Sequence, residues 1–247
     1  MRIFITGSSD GLGSLAAKAL VQRGHNVTLH ARNAQRAEDA KRACPGAEGV
    51  LIADLSSTEA TRGLAKDLNE QGPWDAIFHN AGVMHVSPSS KGPEGLPILF
   101  TTNTLAAYTL ACLVQPLPKH LVFLSSALHN NGDPTLRDIK AANYDDSKMH
   151  NTMLAFYFAR QPEFKNTVVS SLDPGWVLIG LGRPGGTDDI DAAIENYVAL
   201  AEGRLQGSGK HWYHSEERSN HEACSDERTQ KKLVKELEEI SGVKVPT

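Results

Sequence analysis

An α/β fold, with one doubly wound parallel sheet of about seven strands and helices on both faces, is predicted by three observations. Short apolar runs alternate with longer segments of helical period as far as residue 214. Most of those runs lack polar alternation, as strands buried on both faces do. The first of them passes straight into a glycine-rich turn. With 247 residues, 40% hydrophobic and 22% charged, the chain suits a single domain over 1–247.

The predicted strands, in order, are RIFIT (2–6), NVTLHA (26–31), GVLIA (49–53), WDAIFH (74–79), HLVFLS (120–125), TVVSSL (167–172) and KHWYH (210–214). Between them the helix GLGSLAAKALVQRG follows the glycine turn and stops at Gly24, a usual residue just past a helix end. SSTEATRGLAKDLNEQG takes Ser57 as its N-cap, with a carboxylate in the first turn. After Pro97, ILFTTNTLAAYTLACLV is mostly apolar and small, as a helix packed on a sheet would be. A helix from Tyr144 to Arg160 and another near 189–202 follow. The last, ERTQKKLVKELEEISG, puts Leu233, Leu237 and Ile240 on one face and docks by it. SPSSKGPEG (87–95) and GRPGG (182–186) read as surface loops.

Composition excludes several classes. A formal net charge of -4 leaves no basic excess to neutralise phosphates, so nucleic acid and anionic membranes are not expected partners. No apolar run is long enough for a signal peptide or a membrane span, so a cytoplasmic protein with small-molecule ligands is expected. Cys44, Cys112 and Cys224 form no CxxC pair and read as free thiols. No metal is expected: the histidines at the ends of HWYH alternate faces of a strand and would not converge on an ion.

Two stretches carry chemistry. TGSSDGLG, Thr6 to Gly13, places Gly7, Gly11 and Gly13 at a strand-to-helix turn. There the backbone can approach a pyrophosphate, and the helix N-terminus offers unpaired N–H groups. The spacing is G-x-x-x-G-x-G. In YDDSK, Tyr144 and Lys148 stand four apart and share a helix face, which fits either a solvated surface or a working pair.

The ordered set of TGSSDGLG, ADL at Ala53 to Leu55, NAG at Asn80 to Gly82, Asn103 in a helix, LSS at Leu124 to Ser126, YDDSK, and DPGWV at Asp173 to Val177 resembles the classical short-chain dehydrogenase/reductase family over residues 1 to about 177. The loop SSKGPEG and the long gap between Ser126 and Tyr144 are similar to retinol-dehydrogenase-like members. The resemblance implies a Rossmann-type domain in which the Tyr144 phenol is general acid or base. Lys148 would lower the phenol's pKa and hold the nicotinamide ribose. Ser126, the second serine of its pair, would orient the substrate carbonyl while Ser125 faces the sheet, and Asn103 would support a water relay to the lysine. Cofactor contacts are implied for Gly7, Ser9, Asp10, Gly11, Leu12 and Gly13, for Asp54 and Leu55 at the adenine, for Asn80, Ala81 and Gly82, and for Pro174, Gly175 and Val177.

Arg32 ends the second strand where NAD-preferring folds place a carboxylate; a guanidinium there suits a 2′-phosphate, so NADP(H) is predicted. The expected reaction is hydride transfer between NADP(H) and a carbonyl or secondary alcohol. The departures are His79 in place of a second Asn, Ile179 where relatives carry a Thr, and a short glycine-rich lid. They leave a non-catalytic NADP(H) sensor as the alternative. The apolar face of MLAFYFA (153–159) is expected to support a homodimer, with a tetramer as the further option.

Overall fold

The computed structural model describes residues 1–179 and 185–247; part of the expected GRPGG loop and lid, at 180–184, lies outside the described residues. Among the described residues, eight strands form one sheet: β1 (Arg2–Ile5), β2 (Asn26–Ala31), β3 (Gly49–Ile52), β4 (Ala76–His79), β5 (His120–Leu124), β6 (Val168–Leu172), β7 (Lys210–Tyr213) and β8 (Glu216–Glu217). Their order is β3-β2-β1-β4-β5-β6-β7-β8, and every neighbouring pair is parallel except the last. The chain grows outward from β1 to β3 and then crosses back to β4. The loops leaving β1 and β4 therefore part, and this switch point is where such sheets bind ligands.

The eighth strand is a difference from the expected sheet. His214 and Ser215 take φ of 48° and 62° and reverse the chain in the left-handed conformation that two-residue hairpins favour. Two glutamates carry no apolar alternation, so pattern alone does not reveal β8.

The helices are α1 (Gly11–Gln22), α2 (Ala34–Ala43), α3 (Thr58–Gln71), α4 (Ile98–Phe100), α5 (Ala106–Leu113), α6 (Tyr144–Phe158), α7 (Ile190–Ala201), α8 (Glu222–Ser225) and α9 (Glu227–Ser241). α2 has no counterpart in the expected series, because its buried positions are only Ala37 and Ala40 and no apolar stripe marks it. The helix expected after Pro97 forms, but a π turn at Thr101–Leu105 joins α4 to α5. Ser57 caps α3 by accepting from the Ala60 N–H, with Glu59 in the first turn. A reciprocal capping box between Asn143 and Asp146 starts α6 at Tyr144.

Adjacent strand residues point to opposite faces, and both faces are covered. Phe4, Ile77, Leu121 and Phe123 pack with α3, α5, α6 and α9, while Ile3, Ile5, Phe78 and Val122 pack with α1 and α7. The apolar segment 153–159 is buried within this chain: Met153, Leu154, Ala155, Phe156 and Phe158 share a core with Ala223, Cys224, Leu233, Val234 and Leu237. α8 and α9 thus cover the face on which self-association was expected.

Candidate active site

The glycine turn is pinned from below. Gly7 has φ +64°, and a Cβ on it would lie 2.8 Å from the Ala81 Cα; one on Gly13 would lie 2.5 Å from Asn80 Nδ2. Only glycine fits either position. Thr6 Oγ1 accepts the Asn80 and Ala81 N–H groups, each at 2.9 Å, and donates to the Phe78 carbonyl. The Asn80 amide donates to the carbonyls of Thr6 (2.7 Å) and Gly7 (3.2 Å) and accepts from the Tyr197 hydroxyl at 2.7 Å. Asn80 therefore fixes the shape of the turn with its side chain. Asp10 caps α1 by accepting from the Gly11 N–H, and Ser9 and Leu12 lie half-buried on the same turn.

His30 was not foreseen as part of this site. Its Nδ1 accepts the Gly7 N–H at 2.9 Å, so Nε2 carries the proton and donates to the Ala53 carbonyl at 3.0 Å. Burial pulls its pKa down to about 4 and keeps the imidazole neutral. The sole signal was a polar residue inside the apolar run NVTLHA.

At the adenosine end, Arg32 is exposed just beyond β2. Asn33 caps α2, and from its first turn Arg36 reaches the Asp10 carboxylate at 3.2 Å. Asp54 is exposed and accepts the Ser56 N–H at 2.9 Å, forming a turn; Leu55 beside it is buried.

The second half of the site converges on Lys148. Its ammonium donates to the Leu124 carbonyl at 3.0 Å and lies 5.3 Å from the centroid of the Tyr144 ring. Gly82 lies directly against both groups: a Cβ on it would stand 3.5 Å from Lys148 Nζ and 3.6 Å from Asn103 Oδ1. Asn103, inside the π turn, is buried: Oδ1 accepts the Val83 N–H, and Nδ2 donates to the Val83 carbonyl and to Ser147 Oγ. It ties the NAG segment to α6. Widened turns of this kind recur at functional sites. Ser125 is buried, and its hydroxyl meets Lys148 O and Thr152 Oγ1 of α6 and not the sheet. Ser126 is half-buried, and its hydroxyl accepts the Leu128 N–H at 3.3 Å.

Burial dominates the protonation of the pair. It pushes the Tyr144 phenol up to about 12, with Asp173 and Asp145 adding to the rise, and pulls Lys148 down to about 8 against the opposing effect of Asp173. The expected lowering of the phenol by its lysine is not the leading effect here.

The DPGWV segment leaves β6 along the rim. Gly175 has φ +86°, and a Cβ would lie 2.6 Å from Asp188 Oδ2, the atom that accepts the Trp176 N–H. Pro174 is half-buried, Val177 is buried, and Trp176 and Leu178 project outward.

The parts suit a dinucleotide: a turn with no room for side chains, a helix N-terminus beyond it, an exposed guanidinium at the end of β2 and a glycine against Lys148. A family model for short chain dehydrogenases matches residues 1–180. The chain is 42% identical to the short-chain dehydrogenase chyC of Penicillium rubens over 99% of each protein. It is 31% identical to retinol dehydrogenase 14 of Mus musculus over 73% of this chain and 62% of that protein. Among solved structures, the RhlG/NADP active-site complex of Pseudomonas aeruginosa shares the fold, with a TM-score of 0.68 at 22% identity over 85% of this chain and 93% of that one. The chain belongs to the short-chain dehydrogenase family, an oxidoreductase family.

Proposed function

We propose that this chain is a single-domain, NADP(H)-dependent oxidoreductase that transfers hydride between the nicotinamide and a carbonyl or secondary alcohol of modest size. The observation that carries the reading is the meeting of Tyr144, Lys148, Gly82 and Asn103 beside the glycine turn. When bound, NADPH supplies the hydride. Tyr144, partly open to the crevice and protonated at neutral pH, gives its phenolic proton to the carbonyl oxygen. Ser126 orients that oxygen from the end of β5. Lys148 holds the ribose and steadies the phenolate that forms. Arg32 receives the 2′-phosphate, and the NADP held by a structural relative agrees with that choice. Buried free thiols at Cys44, Cys112 and Cys224 suit a reducing compartment, and we place the protein in the cytoplasm.

Tyr144→Phe removes the acid and leaves the shape. Turnover in a carbonyl screen with NADPH is expected to fall by at least about a hundredfold, with dinucleotide affinity nearly unchanged. Near-normal turnover in that variant would remove the mechanism. Tight binding with no turnover of any carbonyl or alcohol by the unaltered protein would favour a sensor.

A further inference from the structure

Asp173 follows β6 at the floor of the site, and its side chain is only 2% exposed. Its N–H donates to the Trp212 carbonyl at 2.9 Å, and its Oδ1 accepts the Gly175 N–H at 2.9 Å. The other oxygen, Oδ2, accepts no hydrogen bond among the described residues and faces Arg218 Nη1 at 3.7 Å. Arg218 arrives there by the β7–β8 hairpin: its N–H is bound to the His211 carbonyl, and its guanidinium lies 4.2 Å from the Tyr213 ring centroid. Half of its side chain remains in solvent. A buried carboxylate is costly unless its charge is well compensated, and one half-exposed guanidinium without a hydrogen bond compensates it only in part.

The remaining neighbours of that charge belong to the site. Strand register brings Asp173 there: Leu124, whose carbonyl meets Lys148 Nζ at 3.0 Å, pairs with Leu172, the residue before Asp173. From that place its charge opposes the effect of burial at Lys148 and His129 and adds to it at Tyr144. Tyr144 also meets Lys148 and Asp145 from its own helix and Tyr197 from α7. Burial, helped by Asp188 from the loop before α7, pushes the Asp173 carboxyl above its ordinary value, while the Gly175 N–H, Arg218 and His129 oppose the rise. His129 donates from Nδ1 to the Ser126 carbonyl at 2.6 Å, accepts the His221 N–H at Nε2 and touches the His211 ring edge-on. The dielectric is low around buried Lys148, so an uncompensated charge nearby is felt strongly.

We propose that Asp173 is a positioning residue: its buried carboxylate keeps the proton on Lys148 and Tyr144, and Arg218 sets how much of that charge they feel. The proposal rests on Tyr144 and Lys148 being the working pair, but the coupling can be read without turnover.

Lysine labelled with ¹³C at Cε, with Lys148 assigned through Lys148→Met, reports the titration of this ammonium by NMR in the protein alone, near pH 8. Asp173→Asn keeps the acceptor for Gly175 and is expected to move the midpoint down by about one pH unit, whereas Arg218→Gln moves it up by about half a unit and Arg218→Lys restores it. Where carbonyl reduction is measurable, the basic limb of its pH profile moves in the same two directions. Simple loosening would admit water and raise the Lys148 midpoint in both altered proteins. No shift in either, or an upward shift in both, overturns the proposal. If Asp173→Asn does not fold, the two Arg218 variants decide: an absent upward shift, or one that lysine fails to reverse, overturns it. A protein without turnover that still shows the opposite shifts would sink the proposed mechanism and leave this coupling standing.

Discussion

Four imidazoles, those of His30, His79, His150 and His211, lie inside the molecule with pKa values pulled by burial to about 4, 3, 4 and 3. His79 is the plainest case: neither ring nitrogen has a hydrogen-bond partner among the described residues, and the ring packs on Phe123 at 4.9 Å. Between the folded values and the ordinary histidine value the unfolded chain binds more protons than the folded one, so stability rises with pH in that window and falls on acidification. Each buried histidine should cost about 2 kcal/mol at pH 5 relative to pH 7. Urea unfolding is expected to show a sharp fall in midpoint over that interval, and His79→Leu should make the fall shallower. An unchanged pH dependence in that variant would mean that His79 is reached by protons in the folded state.

At the scale of elements, legibility followed the length of the signal. The seven parallel strands were readable because each is a short apolar run, even β3, which at the sheet edge is only partly buried, whereas β8 offers only Glu216 and Glu217, and α2 only alanines at its buried positions. The π turn at Thr101–Leu105 left no mark in the sequence, although Asn103 was singled out on resemblance; the structure shows the amide clamping Val83 to α6. Tyr144 and Lys148 were visible because both lie on one helix at i and i+4. Their electrostatic neighbours were not: Asp173 follows β6 and Arg218 follows β8, and only strand pairing brings them to 3.7 Å. His30 and Tyr197 escaped for the same reason: His30 from β2 and Tyr197 from α7 each bond to a segment far away in sequence.

For the molecule as a whole, the covering of α6 by α8 and α9 changes the expectation for assembly. A homodimer through 153–159 would have to displace Leu233, Val234 and Leu237 from the core of their own chain. Arg160 and Gln230 are hydrogen-bonded across the same seam. Sedimentation at micromolar concentration is therefore expected to give a monomer. A dimer would locate self-association on another surface, and deleting α9 would then not be needed to create it. No helix among the described residues is long and apolar enough to cross a membrane.

As proposed above, the glycine turn, Arg32 and Lys148 form one NADP(H) site. Fluorescence titration of NADPH and NADH into the unaltered protein and into Arg32→Ala tests it most directly. NADPH is expected to bind more tightly than NADH, with a loss of about tenfold or more for NADPH alone when the guanidinium is removed. Equal affinity for the two dinucleotides, or NADPH affinity untouched by Arg32→Ala, would contradict the assignment of the phosphate grip. Failure to bind either would contradict the site itself.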